Sequence, residues 1–286
     1  MIEDLRIRNY SPRTVDICIR AVARFAGHFG KSPDRLGTEQ IRAYQVFLVE
    51  TRKASWAIFN QTVCALRFLY NVTLDREEFV NHIPYARPER KLPVVLSLSE
   101  IGRFFKAISN LKHRTVLMAM YGAGLRISEA LQLQLTDIDS ERMVLRIRQG
   151  KGRKDRYAPL SQTLLFALRT YWKVNRPEKW LFPGAKPDHP LHPTAIQKAC
   201  KWARQEARLS KSVTTHTMRH CFATHHLEAG TDLRTIQHAL GHRSLNTTAF
   251  YLHVATETRD RSPRGPVDLL AAAVASPVTG DRQAGS

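Results

Sequence analysis

Six side chains of this sequence have the types and the order needed to break a phosphodiester without a metal. Arg126 lies in Gly124-Leu125-Arg126-Ile127-Ser128-Glu129 and Lys151 in Gly150-Lys151-Gly152. His216 and Arg219 share Thr215-His216-Thr217-Met218-Arg219-His220, His242 ends Leu240-Gly241-His242, and Tyr251 follows. A guanidinium is always charged and grips two oxygens at once, so Arg126 and Arg219 suit a phosphate. As a pair they can neutralise the extra negative charge of a pentacoordinate phosphorane. Tyr251 supplies a phenol to attack. Its ordinary pKa is about 10, so the proton must leave or the anion must be stabilised. His216 can accept that proton, and His242 can donate a hydrogen bond to a non-bridging oxygen. Lys151, at a turn tip, can protonate the leaving 5′ oxygen. Glu129, three residues after Arg126, can orient that arginine through a charge-assisted hydrogen bond.

Taken singly, each residue has a plainer explanation. A lone helical Arg is usually a surface charge, a lone Tyr is usually core or rim, and lysines beside glycines usually mark a hairpin. Zinc binding by His216, His220, His225, His226 and Cys221 is a rival use of one helix. The chain lacks a His-Glu-x-x-His glutamate, and the spacing fits no zinc finger, so no metal is expected.

Local patterns predict the elements that must hold these groups. His216 and Arg219 share a helix face, with His216 near the N-terminus, where backbone N–H groups favour an anion. Helices are expected over 216–228, 232–240 and 245–253, with Gly230 and Gly241 at their C′ positions. Residues 112–135 read as helical around Gly122 and Gly124. Residues 143–148 alternate Met143, Leu145 and Ile147 against Val144, Arg146 and Arg148, a strand with one wet face. A turn over 149–154 and a return strand over 156–160 follow. Residues 194–208 read as a basic helix. Its Lys198 and Lys201, with Arg153 and Lys154 of the turn, are candidates for binding a polyanion. Ser97-x-x-Glu100 is a capping box before Ile101, Phe104, Phe105 and Ile108. Residues 1–82 read as a small helical bundle, with Ser11-Pro12 opening its main helix. Three prolines make 84–96 a linker, and its Arg87, Arg90 and Lys91 can follow a phosphate backbone. The expected fold is mainly α with a small antiparallel sheet in the second of two domains. Their bounds are 1–83 and 97–262, with a tail over 263–286.

Bulk composition agrees with a polyanionic partner. The chain has 286 residues, 43% of them hydrophobic, and a net charge of +19. Residues 91–262 hold 28 Lys/Arg against 13 Asp/Glu, while 1–90 hold 14 against 10. Most of the anion attraction therefore accompanies the candidate chemistry. No apolar run approaches the roughly 20 residues that span a bilayer, and the acidic N-terminus lacks a signal-peptide core, so a cytoplasmic protein is expected. Cys18, Cys64, Cys200 and Cys221 are far apart and read as buried thiols.

The ordered set resembles the tyrosine recombinase (phage integrase) family: Arg in a Gly-Leu-Arg-x-x-Glu context, a hairpin Lys, His-x-x-Arg, Leu-Gly-His, then Tyr. The resemblance covers nearly the whole chain. It implies a helical, SAM-like core-binding domain and a mixed α/β catalytic domain, clamping duplex DNA from two sides. It also implies a 3′-phosphotyrosyl link at Tyr251 and a freed 5′ hydroxyl that attacks the partner strand, with no cofactor. Two recombination sites and four protomers would form a nucleoid-associated synapse, with accessory DNA-bending proteins as further partners. Lys151 matches the family position, with Lys154 near enough to compete, and His220 fits a supporting role. The 35 residues after Tyr251 exceed what compact chromosome-dimer resolvases carry. In that tail, Val267–Val274 reads either as a short apolar helix that packs on a neighbouring protomer or as disordered chain. The insertion typical of integron integrases is missing between Lys151 and His216. The reading is thus a recombinase of a mobile element. The alternatives are a chromosome-dimer resolvase, a catalytically silent DNA-binding protein and a type IB topoisomerase-like enzyme.

Overall fold

The structure, a computed structural model, describes residues 1–86, 92–148, 155–242 and 244–258, with backbone alone for 80–82 and 253–258. Lys151, Arg153, Lys154, Arg87, Arg90, Lys91 and the 263–286 tail lie outside the described residues. The chain divides into two compact units, Met1–Lys91 and Leu92–Ser286.

The first unit is helical: α1 (Ile2–Ile7), α2 (Pro12–Phe29), α3 (Thr38–Val46) and α4 (Trp56–Phe68). Ser11 caps α2 by accepting from the Thr14 N–H at 3.2 Å, with Pro12 as the first helical residue. Helices α3 and α4 each run on into a π-helical turn, Phe47–Thr51 and Leu69–Thr73. The core joins Phe25, Ile41, Tyr44, Leu66 and Tyr70. The Tyr70 hydroxyl lies 2.8 Å from the Pro33 carbonyl oxygen and 3.1 Å from that of Leu36, which ties the α2–α3 connection to α4.

In the second unit, Leu96 is buried at the end of the proline-rich stretch. Its backbone N–H meets Cys221 Sγ at 3.2 Å. Next come α5 (Leu98–Lys106), started by the Ser97–Glu100 capping box, and α6 (Leu111–Gly122). The helix expected over 112–135 is broken. Gly124 takes φ +63°, a left-handed turn, and a short α7 (Ile127–Leu131) leaves in a new direction. A Cβ at 124 would stand 2.7 Å from Phe222 Cδ1 and 2.9 Å from Leu240 Cδ2. Close approach by two other helices, together with the backbone turn, requires glycine there.

The sheet is antiparallel in the order β1 (Ile138–Asp139), β2 (Val144–Ile147), β3 (Arg156–Pro159). Leu145 and Ile147 are buried and Arg146 is exposed, as the alternation predicts. Ile147 pairs with Arg156. Among the described residues, five helices follow: α8 (Gln162–Asn175), α9 (Pro193–Glu206), α10 (Thr215–Glu228), α11 (Leu233–Leu240) and α12 (Leu245–Thr258). Gly230 and Gly241 both have positive φ at helix ends. Helix α10 is the platform, contacting α6, α9, α11 and α12. It buries Met218, Cys221, Phe222 and Ala223. Cys64, expected to be buried, is exposed; Cys18, Cys200 and Cys221 are buried.

Gly124→Ala combines left-handed strain with overpacking, so it should destabilise the second unit by about 3 kcal/mol. Urea unfolding measures this, and a change below about 0.5 kcal/mol would mean that the turn relaxes freely.

Candidate active site

Arg219 lies in the second turn of α10 and is 3% exposed. Its guanidinium donates to the carbonyl oxygens of Gly124, past the end of α6, and Leu240, at the end of α11. Helix C-termini carry unpaired carbonyls and partial negative charge, so a buried cation is well placed there. Burial and the Arg126 charge push the Arg219 pKa down to about 10, which leaves it a cation at neutral pH.

Arg126 precedes α7, and Glu129 reaches back to it. One Glu129 oxygen accepts from the Arg126 backbone N–H at 2.9 Å, the other from its Nη1 at 2.6 Å. Arg156, on β3, donates Nη2–H to the same carboxylate at 2.9 Å, and Arg219 Nη1 stands 3.8 Å away. Burial raises the Glu129 carboxyl pKa, but Arg156 and Arg126 outweigh it and hold the group below its ordinary value. One buried carboxylate thus serves three guanidiniums, leaving the cluster positive and suited to an anion.

Tyr251 lies on α12 and is 4% exposed. Its ring packs with Phe222, Ala223, Ile236 and Leu240. The hydroxyl lies 3.0 Å from His220 Nδ1, the imidazole tautomer deciding which atom donates. Burial raises the phenol pKa despite Arg219 and Arg126, so the group is protonated at neutral pH. Burial, then His216 and Arg219, pushes the His220 pKa down to about 4, so this ring is neutral. Burial and the same two arginines hold His216 below the usual imidazole value. The His242 ring lies nearly parallel to that of Tyr251, at 8°, with centroids 6.4 Å apart. His242 Nδ1 is 2.9 Å from Thr248 Oγ1.

These groups line a single cavity of about 460 Å³: Arg126, His216, Arg219, His220, Gly241, His242, Ser244, Thr247 and Tyr251. Five of the six sequence-derived residues therefore meet, and Lys151 lies outside the described residues. Glu129 sits behind the arginines. His220, expected as support, contacts the phenol directly. Lys198 and Lys201 are exposed on α9 and do not line the cavity. His225 bonds Tyr121 and the Leu96 carbonyl, while His226 bonds Thr231. Among the described residues, no three His, Cys, Asp or Glu side chains are grouped to hold a metal, and no helix is long and apolar enough to cross a membrane. Arg156 joins the cluster without a sequence motif, its signal being a basic residue at the buried register of a strand. Ser244 and Thr247, whose hydroxyls follow the Leu-Gly-His corner, line the cavity likewise without a motif.

Comparison with known proteins matches the phage integrase family over residues 95–258 and the phage integrase N-terminal SAM-like domain over 1–78. A Sinorhizobium fredii protein named as an integrase/recombinase is 49% identical over 94% of this chain and 88% of its own. An Escherichia coli integrase/recombinase is 31% identical over 98% of this chain and 94% of its own. The crystal structure of XerA recombinase superposes with a TM-score of 0.53 at 26% identity, covering 91% of this chain and 97% of that one. A lambda integrase dimer bound to a core site has the same fold, with a TM-score of 0.73 at 17% identity, covering 93% and 96%.

His220 also predicts a pH effect. Its folded pKa, about 4, lies below the ordinary 6.5. Between those values the unfolded chain binds more protons, so stability falls as pH drops from about 6.5 toward 4. A His220→Asn variant should flatten that decline by about 1 kcal/mol or more. Denaturation at several pH values measures it, and parallel curves would contradict a neutral, shielded ring.

Proposed function

The chain belongs to the phage integrase family of tyrosine recombinases, enzymes that cleave and rejoin DNA, and on that premise we propose that Tyr251 is its nucleophile at a scissile phosphate. The observation that carries this reading is the Tyr251 hydroxyl, held by His220 in the cavity that Arg126 and Arg219 line. The phenol oxygen bonds to phosphorus as the bond to the 5′ oxygen breaks. The product is a 3′-phosphotyrosyl link, which conserves the bond energy for rejoining. Arg126 and Arg219 take the charge that builds on the non-bridging oxygens, and His242 donates a hydrogen bond to one of them. His220 is too weak a base to keep the phenol proton. It orients the hydroxyl, and His216, whose ring centroid stands 5.8 Å from that of His220, takes the proton. Lys151 delivers a proton to the leaving 5′ oxygen. Glu129 holds Arg126 in place.

The partner is double-stranded DNA. Solved structures of the same fold include XerH bound to a difH substrate and the Tn1549 transposon integrase with circular intermediate DNA. Residues 97–262 form the catalytic domain and 1–83 the core-binding domain. Arg87, Arg90, Lys91, Arg153, Lys154, Lys198 and Lys201 contact backbone phosphates. Two duplexes and four protomers make the synapse, with accessory DNA-bending proteins. The role is DNA recombination for a mobile element. The name integrase/recombinase, carried by the relative at 49% identity, supports this reading.

The test uses a nicked duplex built on the sequence that the protein selects from a random library. The parent should form a covalent DNA adduct that maps to Tyr251. Tyr251→Phe should form none while still binding, and undiminished adduct from that variant would refute the assignment. Arg126→Ala or Arg219→Ala should slow cleavage by at least ~100-fold. A loss under about tenfold would remove either residue from the phosphate.

A further inference from the structure

We infer that Arg156 is a positioning residue for strand cleavage, one that locks Glu129 and the Leu240-Gly241-His242 corner into a single rigid support. The inference rests on the assignment of Arg126, Arg219, His242 and Tyr251 to the site proposed above. Arg156 opens β3, and its side chain is 13% exposed. From there one guanidinium reaches two other elements. Nη2 donates to Glu129 at 2.9 Å, and Nε donates to the Ala239 carbonyl of α11 at 3.2 Å.

The bonding pattern around α11 makes Arg156 more than a generic ion pair. Arg219 takes the Leu240 carbonyl, and Arg156 takes the Ala239 carbonyl just before it. Two guanidiniums therefore hold consecutive carbonyls at the end of the helix that leads to His242. The same two arginines flank the same carboxylate, at 2.9 Å and 3.8 Å. A displacement of Arg156 would thus reach Arg126 through Glu129, and His242 through the helix end.

Gly241 carries the matching constraint. Its φ is +63°, and a Cβ there would stand 2.7 Å from Arg156 Cδ and 2.8 Å from Nε. The glycine that ends α11 therefore also leaves room for this side chain. A lysine could not replace it, because a single ammonium on a flexible stem lacks the two-sided fork that spans carboxylate and carbonyl. Arg156 does not line the cavity, so its effect on phosphate must pass through the groups that do.

The test compares the parent with Arg156→Lys and Arg156→Ala on the nicked duplex selected from a random library. Cleavage is measured in single turnover at saturating protein, and DNA affinity separately. Arg156→Lys should fold, bind within about threefold of the parent, and cleave up to about a hundredfold more slowly, as expected when reacting groups lose their alignment. Guanidinium at subdenaturing concentration should restore part of the rate to Arg156→Ala. Should that variant fail to fold, the lysine variant carries the test alone. Parental cleavage by Arg156→Lys, equal losses of rate and affinity, or no gain from guanidinium in a folded Arg156→Ala would each overturn the inference. If the parent itself forms no adduct at Tyr251, the proposed function fails instead. The two failures are therefore distinguishable.

Discussion

A buried carboxylate surrounded by three guanidiniums sets the terms for the second unit. Glu129 is 5% exposed in its side chain, and an ion so placed would be costly if left unpaired. Arg126 and Arg156 meet it within hydrogen-bonding distance, with Arg219 close behind. The carboxylate lets like charges lie together without mutual repulsion opening the site. It does not neutralise them all, so net positive charge remains for an incoming anion. Because the cluster is largely shielded from water, its electrostatics are stronger than those of a surface pair.

The remainder of the site is built by helix ends meeting around α10. The break after α6 and the end of α11 both present carbonyls to Arg219. Among the described glycines, Gly124 and Gly241 are the two where the backbone turns left-handed and neighbouring groups occupy the space of a side chain. Tyr251 reaches this assembly from α12 by packing on Phe222 and Leu240, which also bear on Gly124. The hydrophobic contacts that seat the phenol and the polar contacts that seat the arginines therefore share the same helices. A packing defect in one would be felt in the other.

Much of this arrangement is legible in the sequence, for physical reasons specific to each element. The Ser97–Glu100 capping box and the Leu145/Ile147 alternation act over a few residues, so local pattern suffices to place α5 and β2. The convergence of Arg126, His216, Arg219, His242 and Tyr251 follows from type and order combined, which no single residue conveys. The break at Gly124 was hidden because helical periodicity continues on both sides of it. It is decided by Phe222 and Leu240, roughly a hundred residues away. Arg156 was hidden because its place on the apolar face of β3 names no partner for its charge. Only the tertiary position of Glu129 and of Ala239 gives it partners. The contact between His220 and Tyr251 likewise depends on how α12 docks, and no local pattern encodes that.

The charge of Glu129, rather than its shape, holds Arg126 and Arg156 beside it. Substitution by glutamine keeps the shape and removes the charge. Single-turnover cleavage by Glu129→Gln, at saturating protein and with folding verified, tests this most directly. The expected rate is at least ~10-fold below the parent, with DNA still bound. A folded variant that cleaves at the parental rate would contradict it.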